Sequence, residues 1–379
     1  MSVVVAHCRA GFEPEAAADL APVAAAAGTT VEVDAPQGRG FVVATPLAFD
    51  SQRWPRALDS APPVFVRSLF FGTGPHALFG ADTTTRGRPD RVAPLASLLA
   101  AFRRDCRQPG VGLRQRAAAV FGELRMETAD TNEGKELSGL CRRLELPLAG
   151  ALLADGALVE IEDSDAPATL PALHVLFVDG AHVFVGTSAA PWGSPHAMGI
   201  PRLHLPRGAP SRSTLKLAEA IATFLGDRGP ELMRAGMRAV DLGAAPGGWT
   251  WQLAQRGLFV TAVDNGPLKG GVGEDPRVTH VRVDGLAYLP RRPVDWLVCD
   301  MVVQPSRVAT LVGRWIGEGH ARCAIFNLKL PMKRRYDEML RCRAIVGEAL
   351  ARAGVRHRLQ LRQLYHDREE VTGFVERLR

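Results

Sequence analysis

Lysine is scarce in this chain. Of 46 basic residues among 379, five are lysine: Lys135, Lys216, Lys269, Lys329 and Lys333. Where arginine is the default cation, a lysine marks a place for a compact ammonium whose proton can be withdrawn. Paired cysteines are missing too. The six cysteines (Cys8, Cys106, Cys141, Cys299, Cys323, Cys342) never form CxxC, which excludes a zinc ribbon and argues against a disulfide framework. No HExxH run or clustered His/Cys set occurs, so no metal is expected. No apolar run is long enough to span a bilayer, and MSVVVAHCRAGFEPE has neither a basic start nor a long apolar core. Membrane insertion and a signal peptide are therefore not expected, and the cytoplasm is the predicted compartment.

What remains is globular in composition, with 46% hydrophobic and 23% charged residues and length for two or three domains. Charge is uneven. From residue 205 onward 28 Lys+Arg face 18 Asp+Glu, whereas the first 204 residues hold 18 against 22. A basic second half points to a polyanionic partner such as nucleic acid. An arginine-biased composition would produce the same surplus.

The first 190 residues pattern as mixed α+β. Strands are expected at Val3–Cys8, near Val31, at Phe41–Ala44, within PPVFVRSLFFG (62–72) and at Gly122–Thr128. Helices are expected at Glu13–Ala27, Val92–Arg104 and Glu133–Leu144, with a loop at GADTTTRGRPDR between. LHVLFVDGAHVFVG (173–186) reads as a hairpin turning at Asp179-Gly180. Two small units, 1–55 and 56–190, and a Pro/Gly/Ser-rich linker at 191–210 are expected.

Residues 211–379 alternate. Strands are predicted at Ala239–Leu242, Phe259–Val263, Val278–Val283, Trp296–Cys299 and Ala324–Leu328. Helices are predicted at Leu215–Leu225, Trp249–Gln255, Arg307–Ile316 and Tyr336–Arg352, with VRHRLQLRQ and EVTGFVERL as a closing antiparallel pair. This is the pattern of a doubly wound α/β sheet with seven strands.

Its first strand runs into DLGAAPGGWT. The spacing G-x-x-x-G-G matches neither the dinucleotide G-x-G-x-x-G nor the phosphate loop G-x-x-x-x-G-K-[ST]. No lysine follows to meet a phosphate, and Asp241 precedes the turn. A close-approach glycine turn beside an acid suits a cationic ligand, and S-adenosylmethionine fits. Asp264 at the next strand end can accept ribose hydroxyls, Asp284 can hold an adenine amino group, and Asp300 ends the fourth strand. Trp249 and Trp251 read as helix packing rather than as base platforms.

Methyl transfer to a ribose hydroxyl needs a base. Lys329, in IFNLKLP at the end of the fifth strand, is placed for it. Desolvation and a second cation, Lys216, would lower its pKa into a useful range. Asp300 and a carboxylate of YHDREEV would orient the lysines. The run KLPMKRRY, with Arg341 and Arg343, offers phosphate contacts or a solvated helix face.

Lys216, Asp300, Lys329 and a late glutamate resemble the Lys-Asp-Lys-Glu tetrad of the RNA ribose 2′-O-methyltransferases. SRSTLK, DLGAAPGGWT, VDNGP, VCDMV, IFNLKLPMK and QLYHDREEVT resemble, more closely, the bacterial M-type methyltransferases that modify a cytidine ribose in 23S ribosomal RNA. The likeness is dense over 195–379 and thinner at RAGFEPE and ADTNEGKEL.

That resemblance implies a Rossmann-like α/β methyltransferase domain over 211–379, with a seven-stranded mixed sheet and an antiparallel C-terminal strand. An α+β THUMP/ferredoxin-like region would precede it: a ferredoxin-like unit at 1–55 and a THUMP-like RNA-binding domain at 56–190. It implies Lys329 as proton acceptor, with Lys216, Asp300 and either Glu369 or Glu370 completing the tetrad; Glu370, directly before the last strand, is the preferred choice. S-adenosylmethionine contacts would fall on Ser213, Ala245, Pro246, Gly247, Gly248, Asp264, Asp284 and Asp300. The implied partner is 23S ribosomal RNA, naked or in an early assembly intermediate, bound by a monomer. Two departures stand out: Ala245 replaces a cysteine, and VCDMVVQP lacks a carboxylate just after Asp300. A base-modifying methyltransferase and an RNA-binding protein with a relic methyltransferase fold are the competing readings. The retention of both scarce lysines favours the enzyme.

Overall fold

The computed structural model describes residues 3–79, 90–106, 119–159, 170–188 and 193–378. Most of the expected GADTTTRGRPDR loop, and residues 191 and 192 at the linker's start, lie outside them. The chain forms two compact units, Met1–Ile200 and Pro201–Arg379.

The first unit contains β1 (Val3–His7), α1 (Glu13–Ala26), β2 (Val31–Asp34), β3 (Phe41–Pro46), α2 (Arg53–Ser60), β4 (Ser68–Ala77), α3 (Val92–Asp105), β5 (Glu123–Thr128), α4 (Asn132–Ala154), β6 (Ala172–Phe177) and β7 (His182–Ser188). Its strands form one sheet in the order β2-β3-β1-β4-β7-β6-β5. β1 pairs with β3 on one side and β4 on the other, so residues on both sides of position 55 share that sheet.

Two elements differ from their sequence patterns for identifiable reasons. The strand expected over 62–72 starts only at Ser68, because the Asp19 carboxylate accepts the Val64 and Phe65 amides at 2.7 and 2.5 Å and so replaces a ladder there. The helix expected to end at Leu144 runs through Pro147 to Ala154. Leu148 and Leu152 continue the buried stripe begun by Cys141, and that packing outweighs the lost amide.

The second unit contains α5 (Ser213–Leu225), α6 (Gly229–Leu232), β8 (Arg238–Leu242), α7 (Gly248–Gln255), β9 (Phe259–Val263), β10 (Val278–Val281), β11 (Val294–Cys299), α8 (Pro305–Gly317), β12 (Ala321–Lys329), α9 (Arg335–Arg352), β13 (His357–Arg362) and β14 (Glu370–Arg377). The seven strands lie in the order β10-β9-β8-β11-β12-β14-β13. β14 runs antiparallel to both of its neighbours, and the other pairings are parallel. The predicted mixed sheet with its antiparallel last strand is therefore the observed one. β12 is buried along nearly its whole length, as a strand covered on both faces must be. The core gathers Trp296, Phe374, Phe224 and Trp249. Among the described residues no helix is long and apolar enough to cross a membrane.

Candidate active site

The carboxyl ends of β8, β9, β11 and β12 gather the chemistry of the second unit. At the first of them the chain must reverse within a few residues. Gly243 takes φ +79°, and a Cβ there would stand 2.7 Å from Met301 Cγ. Gly247, at φ +112°, caps α7. Gly248 packs on the start of α5: a Cβ on it would lie 2.7 Å from Ser211 Oγ and 2.9 Å from the Thr214 amide, and Ser213 Oγ is closer still. The glycines therefore seat the turn, with Ala245 and Pro246, against Ser213.

Asp264 follows β9 and holds this turn from the other side. Its Oδ2 accepts the Ala245 amide at 3.0 Å and its Oδ1 the Gly266 amide at 2.7 Å. Each oxygen keeps a lone pair for a further donor, as recognition of ribose hydroxyls requires. The turn that carries Asp284 packs on the glycine turn: a Cβ on Gly285 would lie 2.9 Å from Met301 Sδ and 3.9 Å from the Gly243 amide nitrogen. β10 ends at Val281 rather than Val283, and Asp284 lies exposed on the following turn, accepting the Leu286 amide at 2.9 Å.

Asp241 corrects the reading of the strand-end acids as one ligand-facing row. It is fully buried, and its Oδ2 accepts the Thr250 hydroxyl at 2.6 Å, bracing α7 on β8. Burial, with Asp300 and Asp264 nearby, pushes its carboxyl up to about 7.

Beyond the turn, four elements converge. Lys216 lies one turn into α5, Asp300 directly follows β11, Lys329 ends β12 and Glu370 opens β14. The antiparallel pairing of β12 with β14 sets Lys329 on the same rung as Glu370. Lys216 Nζ lies 2.7 Å from both Glu370 oxygens and 3.8 Å from Asp300 Oδ2. Lys329 Nζ donates to Asp300 Oδ1 at 2.5 Å and to Glu370 Oε2 at 2.8 Å. All four side chains are largely buried. Glu369 points away and pairs with Arg335 at 3.1 Å, so of the two candidate glutamates Glu370 is the one among the lysines.

The electrostatics differ from the sequence expectation. Burial works against a charged Lys329, but Asp300 and Glu370 outweigh it and raise its pKa above the ordinary lysine value. Burial likewise opposes the charge on Glu370, but Lys329 and Lys216 hold its pKa below the usual carboxylate value. The second cation predicted to depress Lys329 is instead neutralised by Glu370.

Sequence reasoning missed the residues that support this group. Asn327 Nδ2 donates to Asp300 Oδ1 at 3.0 Å and to Glu370 Oε2 at 2.9 Å. Glu219, one turn beyond Lys216, accepts the Tyr365 and His366 amides at 2.8 and 2.9 Å and so clamps the loop before β14 to α5. A signal was available, since Asn327 and Thr372 fall two residues from Lys329 and Glu370 and thus share their strand faces.

A glycine turn on the first strand, an acid on the second and a lysine–carboxylate cluster at the fourth and fifth define an α/β methyltransferase. A family model described as FtsJ-like methyltransferase matches residues 209–314. The enzyme is an S-adenosylmethionine-dependent methyltransferase. Models described as RlmM ferredoxin-like domain and as Ribosomal RNA large subunit methyltransferase M, N-terminal, match residues 1–70 and 90–189. The ribosomal RNA large subunit methyltransferase M of Methylococcus capsulatus is 46% identical, covering 99% of this chain and 98% of that one. That of Azoarcus sp. is 44% identical, covering 99% and 96%. The chain belongs to the ribosomal RNA large subunit methyltransferase M family. Aeropyrum pernix fibrillarin, solved with natively bound S-adenosyl-L-methionine, is similar at a TM-score of 0.32 and 15% identity over 53% of this chain and 81% of that one, too remote to bear on function.

Proposed function

We propose that the enzyme methylates the ribose 2′-OH of a cytidine in 23S ribosomal RNA, with Lys329 taking the hydroxyl proton. The observation that carries this reading is the sharing of Asp300 and Glu370 by two lysines. A ribose hydroxyl is a weak nucleophile, and proton removal is the help it needs. Lys329 must lose its own proton before it can accept one. Asp300 and Glu370 aim its Nζ, and Lys216 keeps Glu370 ionised.

Two ammonium groups and two carboxylates sum to zero. A neutral Lys329 leaves one net negative charge, which a cationic cofactor would offset. Ser213, the Ala245–Gly248 turn and Asp264 would hold that cofactor, with Asp284 and Asp300 bordering it. S-adenosylmethionine, when bound, supplies the electrophilic methyl carbon. The lone pairs left on the Asp264 carboxylate, which already holds the Ala245 and Gly266 amides, fit its ribose hydroxyls.

For the RNA, a groove of about 380 Å³ between α8 and α9 is lined by Leu286, Leu311 and Ile345 together with Ser306, Thr310, Arg307, Arg314 and Arg341. Guanidinium groups lining a groove suit a phosphate backbone. Residues 1–55 and 56–190 serve, in this reading, as the ferredoxin-like and THUMP-like RNA-binding parts. The RNA is met naked or early in assembly, by a monomer in the cytoplasm. The six buried free thiols suit that reducing compartment. Nucleoside analysis of 23S transcript treated with enzyme and cofactor tests the proposal. The expected product is 2′-O-methylcytidine, and a base-methylated nucleoside would overturn it.

A further inference from the structure

Between the two strands that carry Lys329 and Glu370 runs a chain of buried polar groups that the proposed chemistry does not use. Asn327 Nδ2 donates to Asp300 Oδ1 and Glu370 Oε2, the same two oxygens that receive Lys329 Nζ. A flipped amide would turn its carbonyl toward two carboxylates. Its orientation is fixed from behind, where Thr372 Oγ1 lies 2.7 Å from Asn327 Oδ1. Thr372 Oγ1 also lies 2.8 Å from Asp367 Oδ2. A hydroxyl has one proton, and both of these oxygens are acceptors when Asp367 is ionised. Asn327 Oδ1 carries no hydrogen, so satisfying both contacts requires a proton on Asp367.

We propose that Asn327 is a positioning residue, held by Thr372 and a protonated Asp367, that fixes Asp300 and Glu370 around Lys329. The donors then all point one way: Asp367 O–H to Thr372, Thr372 O–H to Asn327, and Asn327 N–H to the two carboxylates. When Lys329 gives up its proton, Asn327 still holds both oxygens in place.

The surroundings of Asp367 agree. It is fully buried, its Oδ2 accepts the Leu364 amide at 3.1 Å, and Glu370 on β14 and Glu219 on α5 are among the ionisable groups that act on it. Glu370 is itself bound by Lys216 and Lys329, and Glu219 by His366. Burial first, and the two acids with it, push the Asp367 carboxyl up to about 8. Above that pH Thr372 turns its proton to the ionised Asp367 and releases Asn327.

This inference rests on Lys329 as the base, and the test separates the two. Methyl transfer is measured against pH for the full-length enzyme and for T372V, T372S, D367A and D367N, with cofactor binding by calorimetry as the check on folding. T372V is expected to lose about tenfold in kcat, the scale of one buried hydrogen bond left unmade, with KM little changed. T372S, which keeps the hydroxyl, restores it. D367N, a neutral side chain that still donates, recovers most of the kcat that D367A loses near neutrality. The wild-type pH profile should flatten near pH 8, and that of D367N should keep rising. If D367A does not fold, the T372V and T372S pair and the D367N profile decide. D367N as damaging as T372V, or T372V indistinguishable from wild type, would overturn the positioning role while K329M stays inactive. An active K329M would overturn the base assignment instead.

Discussion

Lys329 Nζ and Asp300 Oδ1 meet at 2.5 Å across the ends of two adjacent parallel strands. The contact joins the ends of the two strands, and with Glu370 it raises the lysine pKa rather than lowering it. The base assigned to the reaction therefore starts as an acid.

A pH dependence follows, and its sign is fixed. Only the neutral lysine accepts a proton, and its pKa lies above 10.5, so the reactive fraction grows about tenfold per pH unit below that value. Log kcat for methyl transfer is expected to climb with a slope near one from about pH 6 to about pH 8. A flat profile there would remove Lys329 as base. Stability runs the other way at the acid end. The pKa of Glu370 is depressed, so its contribution is present above its ordinary value of 4.5 and fades as pH falls through the lower folded value. Thermal melts should show the decline below pH 4.5 in wild type and less of it in E370Q.

The cofactor edge makes a second test. Asp264 joins the turn at Ala245 to the residues after β9, so D264A removes two backbone anchors and the acceptor proposed for the ribose hydroxyls. Calorimetry should find S-adenosylmethionine bound at least about tenfold more weakly, the scale of one charged hydrogen bond. NAD should not bind. Unchanged affinity in D264A would place the cofactor elsewhere.

Arg307, Arg314 and Arg341 line the groove between α8 and α9. Changing all three to alanine should weaken RNA binding and reduce its salt dependence by about two to three counterions, at roughly 0.7–0.9 per phosphate contact. Cofactor binding should be untouched. RNA affinity and salt slope equal to wild type would exclude the groove as the RNA track.

Most of the second unit could be read from its residues, because each signal was local. The glycine spacing, the strand-end acids and the alternation of apolar runs all lie within a few positions of the features they report. The scarcity of lysine singled out Lys216 and Lys329, which the fold brings to one glutamate from positions 113 residues apart. What escaped was set by partners distant in sequence. The charge state of Lys329 depends on which groups its neighbours pair with, and Lys216 spends its charge on Glu370. The late start of β4 depends on Asp19, 45 residues before Val64. Asp241 looked ligand-facing because strand ends usually are, yet Thr250 turns it inward.

The most direct test of the central claim is the K329M enzyme, assayed on 23S transcript with labelled cofactor while cofactor affinity is measured in parallel. Methionine keeps the length and apolar stem of lysine and removes its proton chemistry. The expected result is near-wild-type cofactor binding with methyl transfer down by about 10²–10⁴, the scale of a lost general base. Full 2′-O-methylation by K329M, with the cofactor bound, would contradict the role assigned to Lys329.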